Sequence, residues 1–163
     1  MATLTAVNPT LVKGPTPDLV DKVIASGQSW KKDQFLYENT SGLLVACASD
    51  ADAGTGGIKY MAVSDQTDPG NSTTRTKVAV LTADHVFSFN ELDGTLAVAN
   101  IGQRYGIDVT SNVVTVDVGD TSNPAIEITE LAVDYDPANN DPADVKARCR
   151  GRIITTVLEA APA

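Results

Sequence analysis

The sequence is short of the residues that carry most enzymatic and metal chemistry. Its 163 residues include one histidine, His85, and two cysteines, Cys47 and Cys149. A histidine-based metal site of the cupin kind needs several imidazoles, so a single one excludes that class. Aromatic residues make up only 5%, so Val, Ile, Leu and Ala must fill most of the core. Cations are scarce as well: 12 Lys and Arg stand against 21 Asp and Glu, for a net charge of −9. That sign favours solubility and repels nucleic acid and anionic lipid, so neither is expected as a partner. No apolar run reaches the ~20 residues that span a bilayer. Met1 to Asn8 lacks the charged start and apolar stretch of a signal peptide. Without an export signal, reduced and buried thiols are expected rather than a disulfide. The sequons Asn39-Thr40-Ser41 and Asn71-Ser72-Thr73 are then chance matches.

What is present reads as β structure. A chain of this length suits one domain with its own core. Residues 1–16 mix Thr, Pro, Asn and Gly without periodicity and are expected to form an extended N-terminal arm, followed by a β-rich domain over 17–163. Thr16-Pro17-Asp18 resembles a helix start, and Leu19, Val20, Val23 and Ile24 would share a helical face. This predicts a short helix over 17–25, although Val23-Ile24 could instead open a strand.

From Ser29 onward, short runs rich in Val, Ile and Thr alternate with turn residues. Strands are predicted at 34–37, 43–48, 58–63, 77–82, 86–89, 95–101, 106–109, 113–118, 125–131 and 150–158. Asn39-Thr40-Ser41-Gly42 closes a hairpin, and Asp93-Gly94 is a turn signal. The expected fold is mainly β: a single-domain β-sandwich or barrel with at most one or two short helices. Polar loops at 49–57, 65–74 and 134–144 are expected to be exposed.

The candidate chemistries are weak. Cys47 and His85 could form a nucleophile–base pair, but flanking signatures are missing and Cys47 lies in an apolar run. A buried thiol and a surface histidine are expected instead. Ser29-Trp30-Lys31-Lys32 matches Ser-x-x-Lys without its partner motifs. Asp50-Ala51-Asp52-Ala53-Gly54 begins like a calcium loop. It has Met61 where a bidentate Glu is required and Thr55 where Gly is required. Asp134, Asp136, Asp141 and Asp144 read as a solvated acidic loop. Gly54-Thr55-Gly56-Gly57 lacks the spacing of a phosphate cradle. No catalytic residue, metal site or cofactor is therefore expected, and the chain is not expected to be an enzyme.

One pattern is more specific. Lys146, Arg148, Arg150 and Arg152 occupy alternate positions, so in a strand all four project from one face. Val145, Ala147, Cys149, Gly151 and Ile153 would form the opposite, core-facing side. Two readings stand side by side. The stripe is either a contact for an acidic partner or neighbouring subunit, or a set of pairs within the chain, for example to Glu127 or Glu130.

The run Gly27-Gln28-Ser29-Trp30-Lys31-Lys32-Asp33-Gln34-Phe35-Leu36, with a turn at Gly42 and an apolar strand after it, resembles the start of capsid decoration (cement) proteins of tailed bacteriophages. Asn100-Ile101-Gly102-Gln103-Arg104-Tyr105-Gly106-Ile107 is also similar, as are Val114-Thr115-Val116-Asp117, Asn123-Pro124-Ala125-Ile126 and Gly151-Arg152-Ile153-Ile154. The resemblance covers roughly residues 24–160 and rests on structural rather than catalytic motifs. It implies a homotrimer made in the host cytoplasm and carried on the outer capsid surface of the virion. There it would bind the major capsid protein between capsomers and stabilise the head. It further implies an N-terminal arm that contacts the partner; the candidate contact residues are then Thr3, Leu4, Val7 and Leu11 of the arm, together with Lys146, Arg148, Arg150 and Arg152 if the first reading of the stripe holds. The alternatives are another phage surface or tail protein that recognises a host or glycan, and a small trimeric β enzyme. Against the enzyme, the loops of small β enzymes that hydrolyse deoxyuridine triphosphate are missing.

Overall fold

A computed structural model describes residues 5–49, 53, 56–92, 95–131 and 147–162. It contains two antiparallel sheets that pack as a β-sandwich. The strands are β1 (Thr10–Lys13), β2 (Leu19–Val23), β3 (Phe35–Glu38), β4 (Leu44–Ala46), β5 (Tyr60–Ala62) and β6 (Arg75–Val80). They continue as β7 (Val86–Asn90), β8 (Arg104–Thr110), β9 (Val113–Asp117), β10 (Ile126–Leu131) and β11 (Arg148–Ile153). One sheet has the order β1-β7-β11-β10-β8-β9, the other β2-β6-β5-β3-β4.

Alternation places one face of each strand inward, because successive side chains point to opposite sides. In the six-stranded sheet, Phe87, Phe89, Cys149, Ile153, Ile126, Ile128, Ile107, Val114 and Val116 form the buried face. The five-stranded sheet adds Phe35, Met61 and Ala79 to the same core. All three phenylalanines of the sequence meet there. Phe35 lies 5.6 Å from Phe87 and 6.0 Å from Phe89 in edge-on contacts. Such pairs add about 0.5–1.5 kcal/mol beyond their burial. Few aromatics therefore suffice, because they are concentrated.

The five-stranded sheet is buried on its other side too. Ile24, Leu36, Leu44, Ala46, Ala62 and Val78 close around Trp30 in a second small core. A parallel bridge between Ile24 and Leu44 brings the ends of this sheet together. A matching bridge, Glu91 to Val116, ties the end of β7 to β9 in the larger sheet.

Several expected strands form close to their predicted places. The Asn39–Gly42 hairpin is built as expected, with Asn39 Oδ1 accepting from the backbone of Ser41 and Leu43. Three assignments are corrected. Residues 17–25 are not a helix: Leu19–Val23 is a strand paired along its length with β6, and Leu19 is 54% exposed. A helix this short gains little on its own, whereas β6 offers a complete ladder to β-branched residues.

The stretch 95–101 is not a strand. It contains a 3₁₀ turn at Val98–Asn100, because Asn100 Oδ1 accepts from Ala97 N while its Nδ2 donates to the Tyr105 hydroxyl. Local side-chain bonding of this kind competes with a ladder. The last predicted strand ends at Ile153, and Thr155–Leu158 forms one helical turn. Ile154 N still donates to Ala125 O, but beyond that point β10 offers no partner. The predicted Asp93-Gly94 turn and the loop 134–144 lie outside the described residues, as does most of 50–55.

Candidate interaction face

The N-terminal stretch bonds to β7 and β9 through Val7 and Asn8 and then joins the six-stranded sheet as its edge strand β1. Val7 N donates to Asn90 Oδ1 at 3.0 Å. Asn8 Nδ2 donates to the carbonyls of Lys32 and Asn112, and its Oδ1 accepts from Val114 N. Asn8 thus satisfies a donor on β9 that has no neighbouring strand there. Leu11 packs against the main core, while Thr10, Val12 and Lys13 are exposed. Val7 is exposed as well, and Thr3 and Leu4 lie outside the described residues. The stretch is anchored further back by His85, which is 1% exposed and not the surface residue expected. Its Nδ1 accepts from Thr82 N, so Nε2 carries the proton and donates to Pro15 O at 3.0 Å. Full use of both ring nitrogens within the chain accounts for its burial.

The outer face of the same sheet carries the arginine stripe. The burial of β11 alternates, with Arg148, Arg150 and Arg152 outward and Cys149, Gly151 and Ile153 inward. Lys146 lies outside the described residues. Glu127 stands directly opposite both Arg152 and Arg104. Its Oε1 accepts from Arg152 at 2.6 and 3.2 Å and its Oε2 from Arg104 at 3.1 Å. Glu130 pairs with Lys13 at 2.6 Å and lies 3.8 Å from Arg150. The hydrogen bond from Arg152 is the main influence holding the Glu127 carboxyl below its ordinary value; burial opposes it, and the bond from Arg104 adds to the lowering. The intrachain pairing read from sequence is therefore made at Arg150 and Arg152. Each carboxylate serves two cations, so the ladder is a fixed lattice of charges across β1, β8, β10 and β11.

Two polar clusters carry no mark in the sequence. At the mouth of the smaller core, Glu38 Oε1 accepts from Lys22 and from the Tyr60 hydroxyl, both at 2.6 Å. Burial pushes Glu38 up, but these two bonds outweigh it and hold the carboxyl low. The bond to Glu38 raises Lys22; burial, and then the same carboxylate, raises Tyr60. All three groups are held more firmly in their neutral-pH forms. Acid–base catalysis needs a pKa moved toward the working pH. This cluster is a clasp joining β2, β3 and β5.

The second cluster lies on the outer side of the β8–β9 hairpin, where Asp108 faces Thr115. The residues Ala6, Leu92, Asp108, Thr110, Val113 and Thr115 line a cavity of about 350 Å³. Thr115 is 3% exposed and its hydroxyl has no hydrogen-bond partner. An unsatisfied buried group of this kind costs about 1–3 kcal/mol. Thr110 Oγ1 donates to Asp108 Oδ2 at 2.7 Å, and among the described residues no lysine or arginine pairs with Asp108.

The remaining candidates do not assemble into a site. Cys47 and Cys149 are buried thiols that are not joined in a disulfide. Burial and the nearby Glu91 push Cys149 up to about 12, which leaves an unreactive thiol at neutral pH. Cys47 Sγ donates to Ser49 O, while both nitrogens of His85 are engaged elsewhere. Ser29 Oγ accepts from Asp68 N in a loop rather than on a helix. Among the described residues, no three His, Cys, Asp or Glu side chains are grouped to hold a metal. No described helix is long and apolar enough to cross a membrane. Comparison with family models, with curated proteins and with solved structures finds no match to this chain.

Proposed function

We propose that the chain is a decoration, or cement, protein of an icosahedral phage head. It binds the major capsid protein on the outer surface, between capsomers, as a homotrimer, and it stabilises the shell. The observation that carries this reading is the position of the N-terminal stretch. It ends in β1, the terminal strand of the six-stranded sheet, with three of four residues exposed. A terminal strand presents unpaired backbone groups to a neighbour, and β1 pairs on one side only, with β7.

The residues on which the resemblance to decoration proteins rests have structural roles in the fold. Trp30 fills the smaller core, and Asn100 braces the turn before β8. Gly106 gives close passage to Asp120, because a Cβ there would lie 2.6 Å from Asp120 Oδ2. A trimer would bring three stretches and three charged faces to one site. Weak contacts acting together raise avidity by about 10²–10⁴.

Rate-zonal sedimentation of a lysate from the source tests this reading. The chain is expected to travel with very large particles and to leave them only when the shell is dissociated. Migration solely as a small free oligomer would remove the reading.

A further inference from the structure

We propose that β1 receives an extended strand of the major capsid protein along its outer edge, and that Asn8 is the positioning residue that holds β1 in place for it. The inference rests on the decoration reading and assigns the surface through which it acts. Four strands end the two sheets: β1 and β9 in one, β2 and β4 in the other. A terminal strand accepts a further strand unless its free side is blocked or guarded by charge. On β9, Val114 N donates to Asn8 Oδ1 and Val116 O accepts from Leu92 N. On β4, Leu44 O accepts from Ala25 N and Ala46 N donates to Gln28 Oε1. On β2, Asp21 and Lys22 place charges in mid-strand, and the Arg75 guanidinium reaches Asp21 O. Among the described residues β1 has no such block. It pairs with β7 on one side, Thr10-Leu11-Val12 is uncharged, and Lys13 at its end is drawn to Glu130.

Main-chain bonds give a strand added at an edge its affinity, and ordering that edge only on contact subtracts from it. β1 is four residues long and is braced at both ends by side chains. Before it, the Asn8 amide donates to the carbonyls of Lys32 and Asn112 and accepts from Val114 N, so one side chain ties the entry of β1 to three backbone groups. Pro9, buried and with its φ fixed by the ring, passes that placement on to Thr10. After it, Pro15 O accepts from His85 Nε2. Asn8 bonds only to groups outside β1. Its loss therefore loosens the strand while leaving every group of the open edge in the chain.

The test uses heads stripped of the protein, with the intact full chain as reference. Hydrogen exchange of the bound chain should show new protection at 10–13 and none at 19–23. Asn8→Ala should stay folded by circular dichroism and bind the heads about tenfold or more weakly, because the edge must then be ordered on contact. If Asn8→Ala loses its fold, Asn8→Asp takes its place, since it keeps the acceptor for Val114 N and gives up both donated bonds. Thr10 and Ser88 are register partners on β1 and β7, at the separation a disulfide spans. Adding Thr10→Cys and Ser88→Cys to the Asn8 variant and oxidising the pair should restore binding, because the crosslink holds β1 where Asn8 did. If the intact chain binds but the Asn8 variant binds as tightly, the crosslink restores nothing, or 10–13 gains no protection, the inference is overturned and the decoration reading stands. Protection at 10–13 that rises with the concentration of the free chain alone would assign the edge to a second copy and also overturn it. If the intact chain does not bind the heads, the inference and the decoration reading fall together.

Discussion

His85 reaches 70 positions back along the chain to hold the carbonyl of Pro15 through Nε2 at 3.0 Å, while its Nδ1 accepts from Thr82 N. One buried imidazole thus fixes the N-terminal stretch to the loop between β6 and β7. His85→Ala leaves the Thr82 N–H and the Pro15 carbonyl without this partner. It should destabilise the fold by about 1–3 kcal/mol. The expected signature is local: amide exchange at Leu11 and Val12 should rise more than at Phe87 or Ile128. Uniform acceleration would mean that His85 supports the core alone.

Glu127 links acidity to stability. Its folded pKa lies below the unfolded value of about 4.3. The sign follows from linkage: the unfolded state binds the proton more readily, so the contribution is complete above about pH 5 and fades as pH falls through the folded pKa. Glu127→Gln should therefore flatten the acid limb of a stability–pH curve measured by urea unfolding. Near pH 7 the loss should stay within about 1 kcal/mol for each exposed pair. An unaltered acid limb would show that the ladder is not coupled to folding.

Gly151 sits between arginines because nothing larger fits. A Cβ there would lie 2.7 Å from Ile126 Cγ2 and 3.0 Å from the Glu127 carbonyl. The backbone atom cannot move without shifting β10, so Gly151→Ala should cost about 1–3 kcal/mol in thermal unfolding. The same change at Gly42, where no atom lies within 4 Å, meets only its positive φ of 73° and should cost less.

Much of the sandwich was legible because its signal is local. Val114 and Val116 face the core as their alternation implied, and the Asn39–Gly42 turn closes where its residues allow. The arginine stripe was legible for the same reason: period two in sequence becomes one face in a strand. What was hidden depends on partners distant in sequence. Leu19–Val23 looks helical until β6 pairs with it. The pairing of Thr10 with Ser88 carries no local mark, so β1 was read as a loose arm. Glu91, wholly buried, accepts from Val118 N, and Thr115 is buried at 3% exposure although it lies on the face opposite the core. Both depend on packing that alternation alone does not encode.

The central claim is that this chain binds a shell and strengthens it, and heads stripped of the protein test that directly. Recombinant chain, with or without residues 1–6, which precede the Val7 and Asn8 anchors, is added back, and the temperature of DNA release is followed by dye fluorescence. The intact chain should bind the heads saturably and raise the release temperature, and the shortened chain should do neither. Stripped heads that take up no intact chain, and that open at the same temperature with it as without it, would contradict the account.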